Sequence, residues 1–288
     1  MDIKVILLLV LAATFISTWN LLAKISRDKQ VFFYLVLVSM SVIFFIPFLS
    51  YFTPISLTGW VYITISAVIE AFFHLLLGGA YECGNISLVY PISRGFGILM
   101  SSIFAVIFLG EGMTVLGAAG IILIILGIYI INLRTLSLKD MYAPIAALKE
   151  KPSRLALLTG LTTAAYSLVD KLGVEHVDPI SYVYLVFLIC SILLTPYIMV
   201  KKKEVVKLEW KGNKISVVLV SILYIVSYLM VLFALKYSQL MYVSSVREIS
   251  VVFTCIAGIV LLKEGCGKNK VFGAIIIFLG IVVISLAK

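Results

Sequence analysis

The chain has 288 residues, of which 62% are apolar and only 13% charged, with a formal net charge of +9. Soluble domains carry about a quarter charged residues, so this composition excludes an ordinary soluble globular protein. The surplus of Lys and Arg does not read as a nucleic-acid footprint either, because those residues fall mostly in short stretches between long apolar runs.

The apolar runs have lengths near the ~20 residues that cross a hydrocarbon core. In chain order they predict ten helices, at 3–23, 31–52, 60–79, 88–109, 115–134, 153–171, 180–200, 215–236, 241–262 and 270–287. The first follows MDIK without a small-residue cleavage site, so it reads as a span and not a removed signal. Most connections are very short, which makes consecutive helices antiparallel neighbours. The longest, 135–152, contains LKDMYAPIAALKE, a pattern that suits an amphipathic segment lying in the interface. The expected fold class is an all-α polytopic membrane protein, each helix satisfying its own backbone.

The second half repeats the first. Arg94, Glu111, Gly112, Gly120 and Gly127 recur as Arg247, Glu264, Gly265, Gly273 and Gly280, and 94–128 matches 247–281 at 11 of 35 positions. Trp19, Asn20 and Lys24 align with Tyr166, Ser167 and Lys171, while Glu70 and His74 align with Tyr224 and Tyr228. Five spans per half is an odd number, so the second half must enter from the opposite face. The expected organisation is two inverted five-helix repeats, 1–134 and 153–288, joined by a loop over 135–152. Excluding Arg94 and Arg247, which lie inside spans, one set of loops carries 17 Lys and Arg, and the opposite face carries four: Lys4, Lys171, Lys236 and Lys288. That bias places the charged loops in the cytoplasm and both termini outside it.

Ionisable groups at bilayer depth are costly and ordinarily face a cavity or a partner. Glu70 and His74, four residues apart, share one face of the third span, where Glu70 could bind a cation or carry a proton and His74 could tune it. Arg94 and Arg247 each lie about two turns, roughly 9 Å, into their spans. Each could clamp a substrate anion, or form a switching ion pair with Glu248 or Glu82, or pair locally for stability. Trp19, Tyr90, Tyr166, Tyr224 and Tyr228 offer aromatic faces that suit amphiphilic or cationic ligands, or that pack against lipid and neighbouring helices. Asn20 and Ser167 are matched polar positions that could bond substrate or a neighbouring helix. Asp170, Lys24 and Lys171 lie at span ends, where snorkelling is the usual explanation and a cavity role the alternative, Lys24 and Lys171 being matched in the repeat. Glu111 and Glu264 are read as caps of the following helices. Gly120, Gly127, Gly273 and Gly280 suit close helix packing in spans five and ten.

The sequence lacks a GxxxxGK phosphate loop, HExxH and GxSxG, so neither ATP hydrolysis nor intramembrane hydrolysis has its usual motif. Cys83, Cys190, Cys255 and Cys266 form no CxxC pair and keep no metal-ligand spacing with His74 or His176. No cofactor or metal is expected.

The paired endings LGEG (109–112) and LKEG (262–265), with NISLVYPISRG (85–95) leading into the fourth span, resemble EamA-type members of the drug/metabolite transporter superfamily. Pro91 has no counterpart in the second half, which reads YVSSVRE over 242–248. The resemblance implies a central cavity lined by spans 1, 3, 4, 6, 8 and 9, with spans 5 and 10 peripheral and linked to packing or dimer contacts. It implies a secondary transporter of small organic metabolites, amino-acid-like or amphiphilic solutes, exported by alternating access from a prokaryotic plasma membrane, with protons as a candidate coupling ion. Uptake, or a sugar- or lipid-linked substrate, is the alternative within transporters. A membrane enzyme and a scaffold are the rivals outside them.

Overall fold

The computed structural model describes residues 2–24, 26–84, 86–131, 133, 150–253 and 268–286. Eleven helices are described: α1 (Ile3–Lys24), α2 (Lys29–Ile43), α3 (Phe45–Tyr51), α4 (Leu57–Cys83), α5 (Ile86–Leu109), α6 (Val115–Ile131), α7 (Lys151–Gly173), α8 (Pro179–Lys201), α9 (Lys203–Tyr237), α10 (Leu240–Arg247) and α11 (Lys268–Leu286). No strand occurs among the described residues. The expected interfacial segment of the 135–152 loop, and Glu264, Gly265, Cys255 and Cys266, lie outside the described residues.

Among the described residues, five helices are long and apolar enough to span a membrane: α1, α4, α5 from Ile92, α8 and α9. Helices α2 and α3 make a sixth if taken as one span bent by 51°. The bend falls where Pro47 has no amide proton for the Ile43 carbonyl. Helices α6 and α11 are shorter apolar helices. Large side chains such as Leu57, Val115, Val200 and Ile215 are about four-fifths exposed, an outward apolar surface that lipid, not water, accommodates. The chain is an integral, multi-pass membrane protein.

Starts are set locally. Asp28 accepts from the Val31 amide, Ser56 from Gly59, and Asp178 from Ile180 ahead of Pro179, each satisfying an otherwise orphaned donor. Helix α9 begins before the predicted eighth span and kinks at Asn213, whose side chain donates to Glu209 at 2.6 Å. Glu209 is fully buried and also accepts from the amides of Arg27 and Asp28.

Helix α7 is the polar exception, carrying Thr159, Thr163, Ser167 and Asp170 on its buried side. It packs on α4 and α5, which spares that face contact with lipid. A Cβ on Gly160 would lie 2.6 Å from the Ser93 carbonyl oxygen and 3.0 Å from the Gly97 amide. The two backbones therefore approach closely there, and this sets how near α7 comes to Arg94. Helix α9 likewise packs on α1 and α2, and α8 on α2 and α4. At the edge, α6 lies against α11. A Cβ on Gly120 would fall 2.8 Å from the Gly280 carbonyl oxygen, and one on Gly127 the same distance from that of Gly273. The four glycines thus meet each other within the chain. The outer faces, with Ile122, Leu126, Phe272 and Phe278, remain exposed.

Candidate functional site

The buried centre lies where α4, α7, α8, α9 and α10 converge. Glu70 is fully buried and His74 is 3% exposed. Their closest approach, Glu70 Oε2 to His74 Nε2, is 3.6 Å, beyond a hydrogen bond. Neither ring nitrogen of His74 has a hydrogen-bond partner. The ring sits among Phe33, Phe73 and Tyr224, at centroid distances of 5.5, 5.2 and 6.1 Å. Glu70 turns instead to α9, where the Tyr228 hydroxyl lies 2.9 Å from its Oε1.

The same hydroxyl bonds Asp170 Oδ2. The other oxygen of Asp170 accepts from Ser66 at 2.6 Å and Tyr182 at 2.9 Å. Asp170 is 1% exposed, so it does not snorkel; the expectation of a headgroup-facing residue is corrected. The reason is helical phase: Asp170 stands four residues after Tyr166, on the face of α7 that packs inward. That spacing from an inward aromatic was the available sequence signal. Lys171, one residue on, points to the C-terminal end of α9 and bonds the carbonyls of Leu235 at 2.5 Å and Ser238 at 3.1 Å.

Aromatic rings close the centre. Trp19 is buried, edge-on to Tyr224 at 4.8 Å, with its indole Nε1 unpartnered. Tyr166 lies 6.2 Å from Tyr228 and 5.5 Å from Phe73 by ring centroids. Ser167 is buried with an unpartnered hydroxyl, while Asn20 donates back to the Ile16 carbonyl of its own helix. The side chains of Tyr90 and Lys24 lie outside the described residues.

A second cluster adjoins the first. Arg94 Nη1 and Arg247 Nε approach the same oxygen of Glu248, at 3.5 and 3.6 Å. All three groups are largely buried and border a tight cleft completed by Ser93, Gly97, Thr163 and Ser244. The two arginines that occupy matched positions in the halves thus share one carboxylate. Glu82 meets neither. It stands near the end of α4 and pairs with Lys202 at 3.0 Å, which also holds Asp28 at 2.8 Å. Burial pulls the Lys202 ammonium down, but its bonds to Asp28 and Glu82 outweigh this and hold it above the ordinary lysine value. Glu111 does not cap the helix that follows it. Its carboxylate accepts from the Leu240 and Met241 amides and so caps α10, in the other half of the chain. Burial raises its carboxyl above the ordinary value, against those two amides and Lys171, which lower it.

Ionisable groups from separate helices, aromatic walls and unpartnered buried donors define a membrane protein with a polar interior site, the class to which carriers belong. Residues 153–286 match the model of the EamA-like transporter family, one of the drug/metabolite transporter superfamily. The resemblance read from the paired endings holds. No curated protein matches the chain. Among the solved structures, one crystal structure aligns with a TM-score of 0.75 at 14% identity, covering 99% of this chain and 98% of its own. At that identity the likeness concerns the fold alone.

Proposed function

We propose that the chain is a secondary transporter of small organic metabolites, working by alternating access of two inverted five-helix halves around the centre of Glu70, Tyr228 and Trp19. One observation carries this reading: buried polar atoms with no partner, among them Trp19 Nε1, Glu70 Oε2, His74 Nδ1 and Ser167 Oγ, gather among aromatic rings. Leaving such atoms unbonded costs roughly 1–3 kcal/mol each, a cost that a bound solute would relieve. The donors, the acidic group and the rings suit an amino-acid-like or amphiphilic solute. Export is the direction proposed, with the termini outside the cytoplasm of a prokaryotic cell.

The inverted repeat has support in paired contacts. Glu70 meets Tyr228 while His74 faces Tyr224, and exchanging aligned positions turns one pair into the other. The same exchange relates the Gly120–Gly280 approach to that of Gly127 with Gly273. Ten spans follow if α2 and α3 count as one, α10 begins the ninth, and α6, α7 and α11 each cross. Arg94, Arg247 and Glu248 act in this scheme as the ion pairs that break and reform between states. A homodimer through spans five and ten would use the outer faces of α6 and α11.

Reconstitution into liposomes with labelled amino acids, amines and organic acids, with and without a pH gradient, tests the reading. Flux of at least one compound is expected, and Glu70→Gln should cut its gradient-driven part by about tenfold or more, equivalent to roughly 1.4 kcal/mol. Absence of flux for every compound would overturn the transporter reading. Normal gradient dependence in Glu70→Gln would remove Glu70 from the coupling step.

A further inference from the structure

We infer that Glu70 and Asp170 form one proton-binding unit, sharing a single proton through the Tyr228 hydroxyl that stands between them. Its use in coupling rests on the transport reading above; the site itself stands on hydrogen-bond and charge counting.

The first count is of hydrogens. Tyr228 contacts Glu70 Oε1 at 2.9 Å and also Asp170 Oδ2. A phenol has one hydrogen to give. Both contacts are hydrogen bonds only if one carboxyl group supplies a hydrogen of its own. Asp170 accepts from Ser66 and Tyr182 as well, so three hydroxyls stabilise it as the anion. Glu70 then carries the proton and donates it to the phenol oxygen, and the phenol donates to Asp170.

The second count is of charge. Arg94 and Arg247 both approach Glu248, and Glu70 and Asp170 are buried in the same interior: among the described residues, two fixed cations stand here with three carboxyl groups. A net buried charge is expensive, and one added proton brings the set to neutrality. Among the described residues, the other titratable groups around the pair are His74 on α4, Tyr166 on α7, Tyr182 and Cys190 on α8, and Tyr224 on α9. The phenols and the thiol are neutral hydrogen carriers, and His74 has no hydrogen-bonded acceptor that would hold an imidazolium. Glu70 lies on α4, in the first half, and Asp170 and Tyr228 lie on α7 and α9, in the second. The shared proton therefore bonds the halves together, and parting them breaks its chain of hydrogen bonds. In the repeat alignment Glu70 faces Tyr224 and Asp170 faces Ala23, so the unit has no second copy.

Infrared spectroscopy of the purified full chain in lipid nanodiscs reads the site directly. At neutral pH the wild type should show the C=O stretch of a protonated carboxyl, shifted in deuterated water. Charge counting makes an unusual demand: Asp170→Asn and Glu70→Gln should each abolish that band, because either change removes the surplus carboxylate. Tyr228→Phe should keep the band and move its frequency. A wild type without the band, or Asp170→Asn with the band intact, overturns the shared site. The wild-type spectrum decides even if a variant does not fold. Liposome flux is read separately: a band that behaves as expected without any gradient-driven flux sinks the coupling reading and leaves the proton site standing.

Discussion

Two of the places where the first and second halves of the chain meet are built on opposite principles. At the α6–α11 seam, glycines bring backbone against backbone, with apolar side chains on either side. At the α4–α7–α9 seam, two carboxyl groups, three tyrosines and a histidine meet among aromatic rings. Between apolar helices in lipid there is no hydrophobic driving force for association, so shape and close packing hold the first seam. The second is held by directional bonds that need their partners. In the proposed transport cycle the first would serve as the fixed hinge and the second as the working interface.

The largest effect should come from the charged cluster beside the polar seam. Glu248→Gln strips Arg247 of its carboxylate and leaves Arg94 short of one partner. Removing one partner of a buried pair costs about 3–5 kcal/mol, to be seen as a large fall in the melting temperature in detergent. An unchanged melting temperature would show that the arginines are already satisfied by other groups.

At the glycine seam, Gly127→Ala places a Cβ 2.6 Å from Ile277 Cγ1 and 2.8 Å from the Gly273 carbonyl oxygen. Overpacking of this kind costs about 1–3 kcal/mol. The melting temperature should fall while the infrared carboxyl band stays in place. A shifted band would mean that the two seams are mechanically coupled and the contrast between them is false.

The smallest effect belongs to the rim. Lys202 pairs with Asp28 and Glu82 at distances shorter than those of Arg94 and Arg247 to Glu248, but Glu82 is 41% exposed. Exposed pairs contribute about 0.2–1 kcal/mol and fade with salt. Lys202→Met should therefore shift the melting temperature slightly at low ionic strength and hardly at all at high. A loss rivalling that of Glu248→Gln would make this network a latch in its own right.

Much of this was legible in the sequence because membrane insertion imposes strong and local rules. The apolar runs located α1, α4, α5 and α8 closely, and the EG endings indicated the family. Glu70 stood out because an acid in the middle of an apolar run has few bland explanations. Asp170 did not, since near a span end snorkelling explains a charge equally well, and helical phase alone does not say which neighbour waits on the buried face. Glu82, named beside Glu248 as a partner for the arginines, pairs with Lys202 instead, because nothing in the sequence says which way the end of α4 points.

Composition and hydropathy alone determined that this is a multi-pass helical membrane protein, because the free energy of placing each segment in lipid depends on that segment's own side chains. The repeat in the sequence pointed to matched glycines and matched arginines. Which partners they take was decided by tertiary structure. Gly120 meets Gly280, Glu111 caps α10 in the other half, both arginines converge on Glu248, and Asp170 turns inward to Tyr228. Hydrogen bonds and ion pairs are short-ranged and directional, so their partners are fixed only when the helices are packed in three dimensions.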